Sequence, residues 1–147
     1  MQLLEYFTWK HLNNKKTNTL LSKIGLFIIF IQVPLFILSR NNVNTKLKSW
    51  LISAYLLFSL FVAWYFPIDF SMKKAVNGHL AWNWLNFPTV IIFIWLLFIF
   101  GLIFYQKRYL EFSIYFLVVS AIYYTYYKTN TWGSLWCWLA NFLALYR

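Results

Sequence analysis

Between Phe87 and Tyr105 the chain reads FPTVIIFIWLLFIFGLIFY, 19 residues with hardly a polar side chain. A helix of that length spans roughly 28 Å, close to the thickness of the hydrocarbon core of a bilayer. Asn86 and Pro88 are helix-start signals at its head. Three other stretches share this character. TLLSKIGLFIIFIQVPLFILS, at 19–39, lies between Lys15 and Lys16 on one side and Arg40 on the other. WLISAYLLFSLFVAWYF, at 50–66, is stopped by Pro67. The run at 109–127 follows the 87–105 run after only Gln106, Lys107 and Arg108, which predicts an antiparallel hairpin.

Polar residues inside these runs are few, and each has a structural reading. Lys23 sits near the start of the first run and can snorkel. Gln32 and Pro34 fall in its middle and predict a kink with a polar partner, Gln32 being the expected buried inter-helix contact. Glu111 opens the fourth run within reach of Lys107 and Arg108, so an interfacial ion pair is expected. Composition agrees: 62% of residues are apolar and 11% charged, against roughly a quarter charged in a soluble domain. The expected fold is therefore all-α, an integral membrane helical bundle of four transmembrane helices, forming one polytopic domain over 1–147 with no repeat or linker.

The last apolar segment, 132–146, has 15 residues and is short for a span, leaving an interfacial, a re-entrant or a fifth helix open. Orientation is nearly balanced. With four spans, eight Lys and Arg residues lie on the starting side and five opposite; a fifth span leaves seven against six. The segment MQLLEYFTWKHLNNKK has its positive residues after the apolar ones and no small-residue cleavage site, so neither a secretory signal nor a cleaved presequence is expected. Leu3, Leu4, Phe7 and Trp9 suit a short amphipathic surface helix. The loop PIDFSMKKAVNGHLAWNWLN pairs His79 with Trp82 and Trp84 beyond an Asn-Gly turn, and is expected to lie in the headgroup layer.

The net charge of +10 comes from 13 Lys and Arg residues spread over every inter-span segment. Lipid phosphates, including those of anionic phospholipids, or an acidic partner suit that spread better than nucleic acid does. Catalytic and metal chemistry finds little to work with. The candidate ligands are His11, His79, Cys137, Glu5, Asp69 and Glu111, with no CxxC, HxxxH or HExxH spacing. Cys137, between Trp136 and Trp138, has no neighbouring base and reads as a small packed residue. Four glycines cannot build a phosphate-cradling loop. Gln32, Ser53, Ser59 and Ser120 are too sparse to line a transport path. No resident cofactor or metal is expected.

Near the end of the chain, Trp132, Gly133, Trp136 and Trp138 make W-G-x-x-W-x-W, which resembles the tryptophan-rich motif of the haem-handling proteins of cytochrome c maturation. The likeness runs from Trp132 to Leu139, which stands where that family has an aspartate. It implies a haem held under an aromatic platform by histidines, for which His11 and His79 are the candidates. The simpler reading is an aromatic anchoring layer in which Trp132, Trp136 and Trp138 join Trp82 and Trp84 at one interface, contacting lipid and neighbouring subunits. Gly133, Ser134 and Ala140 would let another helix approach. Replacing the three C-terminal tryptophans with leucine is then expected to spare insertion but weaken assembly.

These features point to a non-catalytic structural or accessory subunit of a hetero-oligomeric membrane complex. Abundant Phe, Ile, Lys, Asn and Tyr fit AT-rich coding, whereas nine tryptophans do not unless UGA also specifies Trp. A mitochondrially encoded small subunit of a respiratory-chain complex in the inner membrane is the leading expectation. A structural protein linking the internal membrane of a large DNA virus to its capsid is the alternative, and a haem-handling membrane protein the third reading.

Overall fold

The computed structural model describes residues 2–136, so Cys137, Trp138 and most of the 132–146 segment lie outside the described residues. The chain is mostly helical. In order come α1 (Gln2–Lys10), α2 (Lys15–Leu38), α3 (Thr45–Tyr65), the strands β1 (Met72–Lys74) and β2 (Leu80–Trp82), then α4 (Thr89–Tyr105) and α5 (Tyr109–Tyr126). Short 3-10 turns follow β2 and α5, and a helical segment begins at Trp132. Of these, α2 and α3 are long and apolar enough to cross a membrane. At 17 residues α4 is shorter, and the 18 residues of α5 include Glu111 and five tyrosines, which dilute its apolarity.

By its internal packing the chain gathers into two compact units. Among the described residues, the first comprises 2–27, 69–86 and 117–136, and the second 28–68 and 87–116. In the second unit, Tyr55 is the hub. It is 1% exposed, and its ring lies 5.3 Å from Phe30 of α2 and 5.3 Å, edge-on, from Phe98 of α4. Its hydroxyl donates to the Phe30 carbonyl at 3.0 Å. That carbonyl is the acceptor Pro34, four residues on, cannot use because it has no N–H. The polar partner expected beside Pro34 is thus Tyr55; Gln32 is only half-buried, and α2 stays helical through Pro34.

The α4–α5 turn is set by backbone geometry. Lys107 adopts a left-handed φ of 59°, its N–H reaches the Phe104 carbonyl at 2.9 Å, and the Arg108 N–H reaches Ile103 at 3.3 Å. This is a Schellman ending, which satisfies the last carbonyls of α4 while reversing the chain. Phe104 then packs on Tyr109 and Phe112, at 5.2 and 5.3 Å between ring centroids. Arg108 pairs with Glu111 across one turn of α5.

The departure from an all-α fold lies in the first unit. Met72–Lys74 and Leu80–Trp82 pair antiparallel, Met72 opposite Trp82, around a turn in which Gly78 takes a φ of 81°. Asn-Gly is a strong hairpin signal, and here it closes a pair of short strands. Both edges of the pair are occupied. The Asn18 side chain, 6% exposed, donates to the Met72 carbonyl at 2.7 Å and accepts from the Met72 N–H at 2.9 Å, standing in for a third strand. Across the sheet, the Trp82 N–H donates to the Asn130 carbonyl at 3.1 Å.

Candidate functional site

The tryptophans singled out in the sequence meet inside the first unit. Trp82, Trp84, Trp132 and Trp136 are all buried, at 0, 2, 3 and 4% exposure. β2 carries Trp82 inward, the following 3-10 turn carries Trp84, and their rings meet edge-on at 5.2 Å. The Trp82 indole N–H donates to the Ser134 hydroxyl at 3.0 Å, joining the 80–85 and 131–136 segments. Trp132 packs edge-on against Tyr123 at 5.7 Å. Two glycines make room for this layer. A Cβ on Gly25 of α2 would overlap the Trp82 ring, and one on Gly133 would overlap the Leu85 side chain. Gly133 and Ser134 therefore admit this chain's own Leu85 and Trp82.

Around the layer, short polar side chains hold backbone and one another. Asn77 donates to Thr131 at 2.9 Å, and Thr131 lies 2.8 Å from Thr129. The hydroxyl of Thr8 turns back to the Leu4 carbonyl of α1 at 2.8 Å. Among the described residues of this unit, Glu5 Oε1, Ser22 Oγ, Trp84 Nε1 and Trp132 Nε1 are buried without a hydrogen-bond partner. Burial pushes the Glu5 carboxyl above the usual carboxylate range, the neighbouring Ser134 and His79 side chains acting more weakly in the opposite direction.

Because folding raises the pKa of Glu5, the folded state takes up its proton at a higher pH than the unfolded chain does. Stability is thus expected to fall as pH rises from the unfolded pKa through the folded one, and to stay at the lower level above it. Glu5→Gln should raise the thermal midpoint in detergent at neutral pH, and the gain should vanish as pH drops below the unfolded value. Parallel melting curves for the two proteins between pH 4 and 8 would contradict this (roughly the window in which carboxylates titrate).

The histidines behave differently from the tryptophans. His11 and His79 are exposed, and His79 meets Tyr126 edge-on at 6.3 Å. Among the described residues, no group of three or more His, Cys, Asp or Glu side chains gathers to hold a metal ion. Of the tryptophans in the W-G-x-x-W-x-W motif, Trp132 and Trp136 are buried, and Trp138 lies outside the described residues.

The tryptophans that face outward are others: Trp50 and Trp64 of α3, at 76 and 84% exposure, and Trp9 of α1 at 40%. On α1, Leu3, Tyr6 and Phe7 are also exposed, while Leu4 and Thr8 point into the first unit. Helical spacing alone separates these two sets. What sequence reasoning missed were Tyr55, Asn18 and Gly25, whose signals were a proline one helix away, a polar residue at the head of an apolar run, and a glycine in a helix.

Together, fold and site define a mostly helical protein with two helices able to cross a membrane and a separate tryptophan-packed unit. Comparison with family models, curated proteins and solved structures finds no match.

Proposed function

We propose that the chain is a non-catalytic structural subunit of a larger membrane assembly, with α2, α3, α4 and α5 crossing the bilayer. The observation that carries this reading is the outward face of α3, where Trp50, Leu57, Leu60 and Trp64 are 76, 68, 67 and 84% exposed. Such a surface needs lipid or a neighbouring subunit to cover it. The polar side chains of the first unit support a scaffolding role, since Asn18, Asn77 and Ser134 bond to parts of the chain itself. The composition argues for a mitochondrially encoded small subunit of a respiratory-chain complex in the inner membrane. Coding DNA that uses UGG for all nine tryptophans would remove that support and favour the virion membrane.

Burial of Trp82, Trp84, Trp132 and Trp136 makes their substitution a test of folding, so association is better tested on α3. Trp50→Ala combined with Trp64→Ala should leave insertion and helix content intact. It should weaken co-purification with the parent assembly in mild detergent by about 2 kcal/mol, the cost of losing one aromatic hot spot. Undiminished co-purification would assign this face to lipid and count against the subunit reading.

A further inference from the structure

The end of α2 and the first turns of α3 border an open cavity of about 260 Å³, lined by Leu38, Thr45, Lys48, Ser49, Ile52 and Ser53. The five α3 residues fall at i, i+3, i+4, i+7 and i+8, a single helix face. Along it the chemistry changes in order: hydroxyl, ammonium, hydroxyl, apolar side chain, hydroxyl. Beyond Ser53 the face continues with Leu56 and Leu60, both exposed. Lys48 Nζ is held at this wall by donating to the Leu38 carbonyl at 3.1 Å. An ammonium has three donors, so two remain for a ligand.

The surroundings are basic. Arg40, Lys46 and Lys48 lie within nine positions, and the whole stretch between Glu5 and Asp69 contains no acidic residue. Asn44 accepts the Lys46 N–H at 2.8 Å, so α3 caps its own first turn and the cavity is a site of side chains.

We propose that this cavity binds the headgroup of an acidic phospholipid. The phosphate lies on Lys48 Nζ, with the Thr45 and Ser49 hydroxyls donating to its oxygens. Ser53, about 7.5 Å further along the helix axis, donates to an ester carbonyl, and an acyl chain runs over Ile52, Leu56 and Leu60. A zwitterionic lipid would bring a second cation to a site that already holds Lys48, which sets the preference for net negative charge. The inference rests on α3 crossing the bilayer and adds a ligand to that reading.

The test uses the full chain in mild detergent, titrated separately with short-chain phosphatidylglycerol, phosphatidylcholine and inorganic phosphate, with the bound fraction read by native mass spectrometry. Phosphatidylglycerol should be retained in preference to phosphatidylcholine, and equimolar inorganic phosphate should not displace it. Lys48→Gln should lower retention about fivefold, the worth of one basic side chain near an anionic lipid surface. Lys48→Arg should retain the lipid, as should Lys128→Gln, which changes an exposed lysine of the first unit. Helix content by circular dichroism should match across the variants. Equal retention by Lys48→Gln and the parent chain, equal retention of the two lipids, or displacement by phosphate would each overturn the proposal. Binding is read on the isolated chain, so its loss would leave the subunit reading, tested through Trp50 and Trp64, standing.

Discussion

Trp82→Ala is expected to unfold the tryptophan-packed unit, lowering its stability by about 3 to 5 kcal/mol, the usual cost of truncating a buried aromatic side chain to alanine. The site argues for the full penalty. Trp82 is completely buried, its indole N–H reaches Ser134, its ring meets Trp84, and Gly25 has no side chain with which to fill the space left behind. Gly25→Ala should reach the same state from the opposite direction. Its Cβ would overlap a ring held by a hydrogen bond, and overpacking of this kind costs about 1 to 3 kcal/mol. Trp64→Ala, at a position 84% exposed, is the control and should change little. The measurement is denaturant unfolding in detergent followed by near-ultraviolet circular dichroism, with trypsin cleavage at Lys73 and Lys74 as a local probe of the hairpin. If Trp82→Ala and Trp64→Ala unfold alike, the buried layer does not hold this unit together.

The helices were legible because their signals are local. Runs read at 19–39, 50–66, 87–105 and 109–127 correspond to Lys15–Leu38, Thr45–Tyr65, Thr89–Tyr105 and Tyr109–Tyr126. The first two extend earlier than their apolar residues do. Asn14 accepts the Thr17 N–H and Asn44 the Lys46 N–H, so polar caps outside the apolar run set where α2 and α3 begin. Three-residue strands, in contrast, show too little alternation to announce themselves, and the Asn77-Gly78 turn was their one sequence signal. The tryptophans were harder still. Richness in Trp suits a membrane interface and a protein core equally, and the residues that decide between them are distant in sequence. Gly25 receives the ring of Trp82, and Ser134 receives its N–H, 57 and 52 positions away respectively. Exposure then separates Trp50 and Trp64 from the buried four, a distinction that composition does not carry.

The hydrogen bond between Tyr55 and Phe30 makes a sharper prediction than its size suggests, because its cause is a second residue. Pro34 removes the donor that Phe30's carbonyl would otherwise receive, and a bare carbonyl in an apolar helix packing is costly. Tyr55→Phe should therefore destabilise the second unit by about 1 to 3 kcal/mol while keeping the ring that packs on Phe30 and Phe98. Pro34→Ala restores an N–H four residues beyond Phe30, so the carbonyl regains an intrahelical donor. In that background Tyr55→Phe should cost much less, leaving a coupling energy of about 1 kcal/mol or more between two residues in different helices. Unfolding of the four proteins of this cycle in one detergent gives the coupling directly. Additive effects would mean that Pro34 does not create the need that Tyr55 fills. Strong coupling would identify the proline as the reason α3 carries a tyrosine hydroxyl at this point.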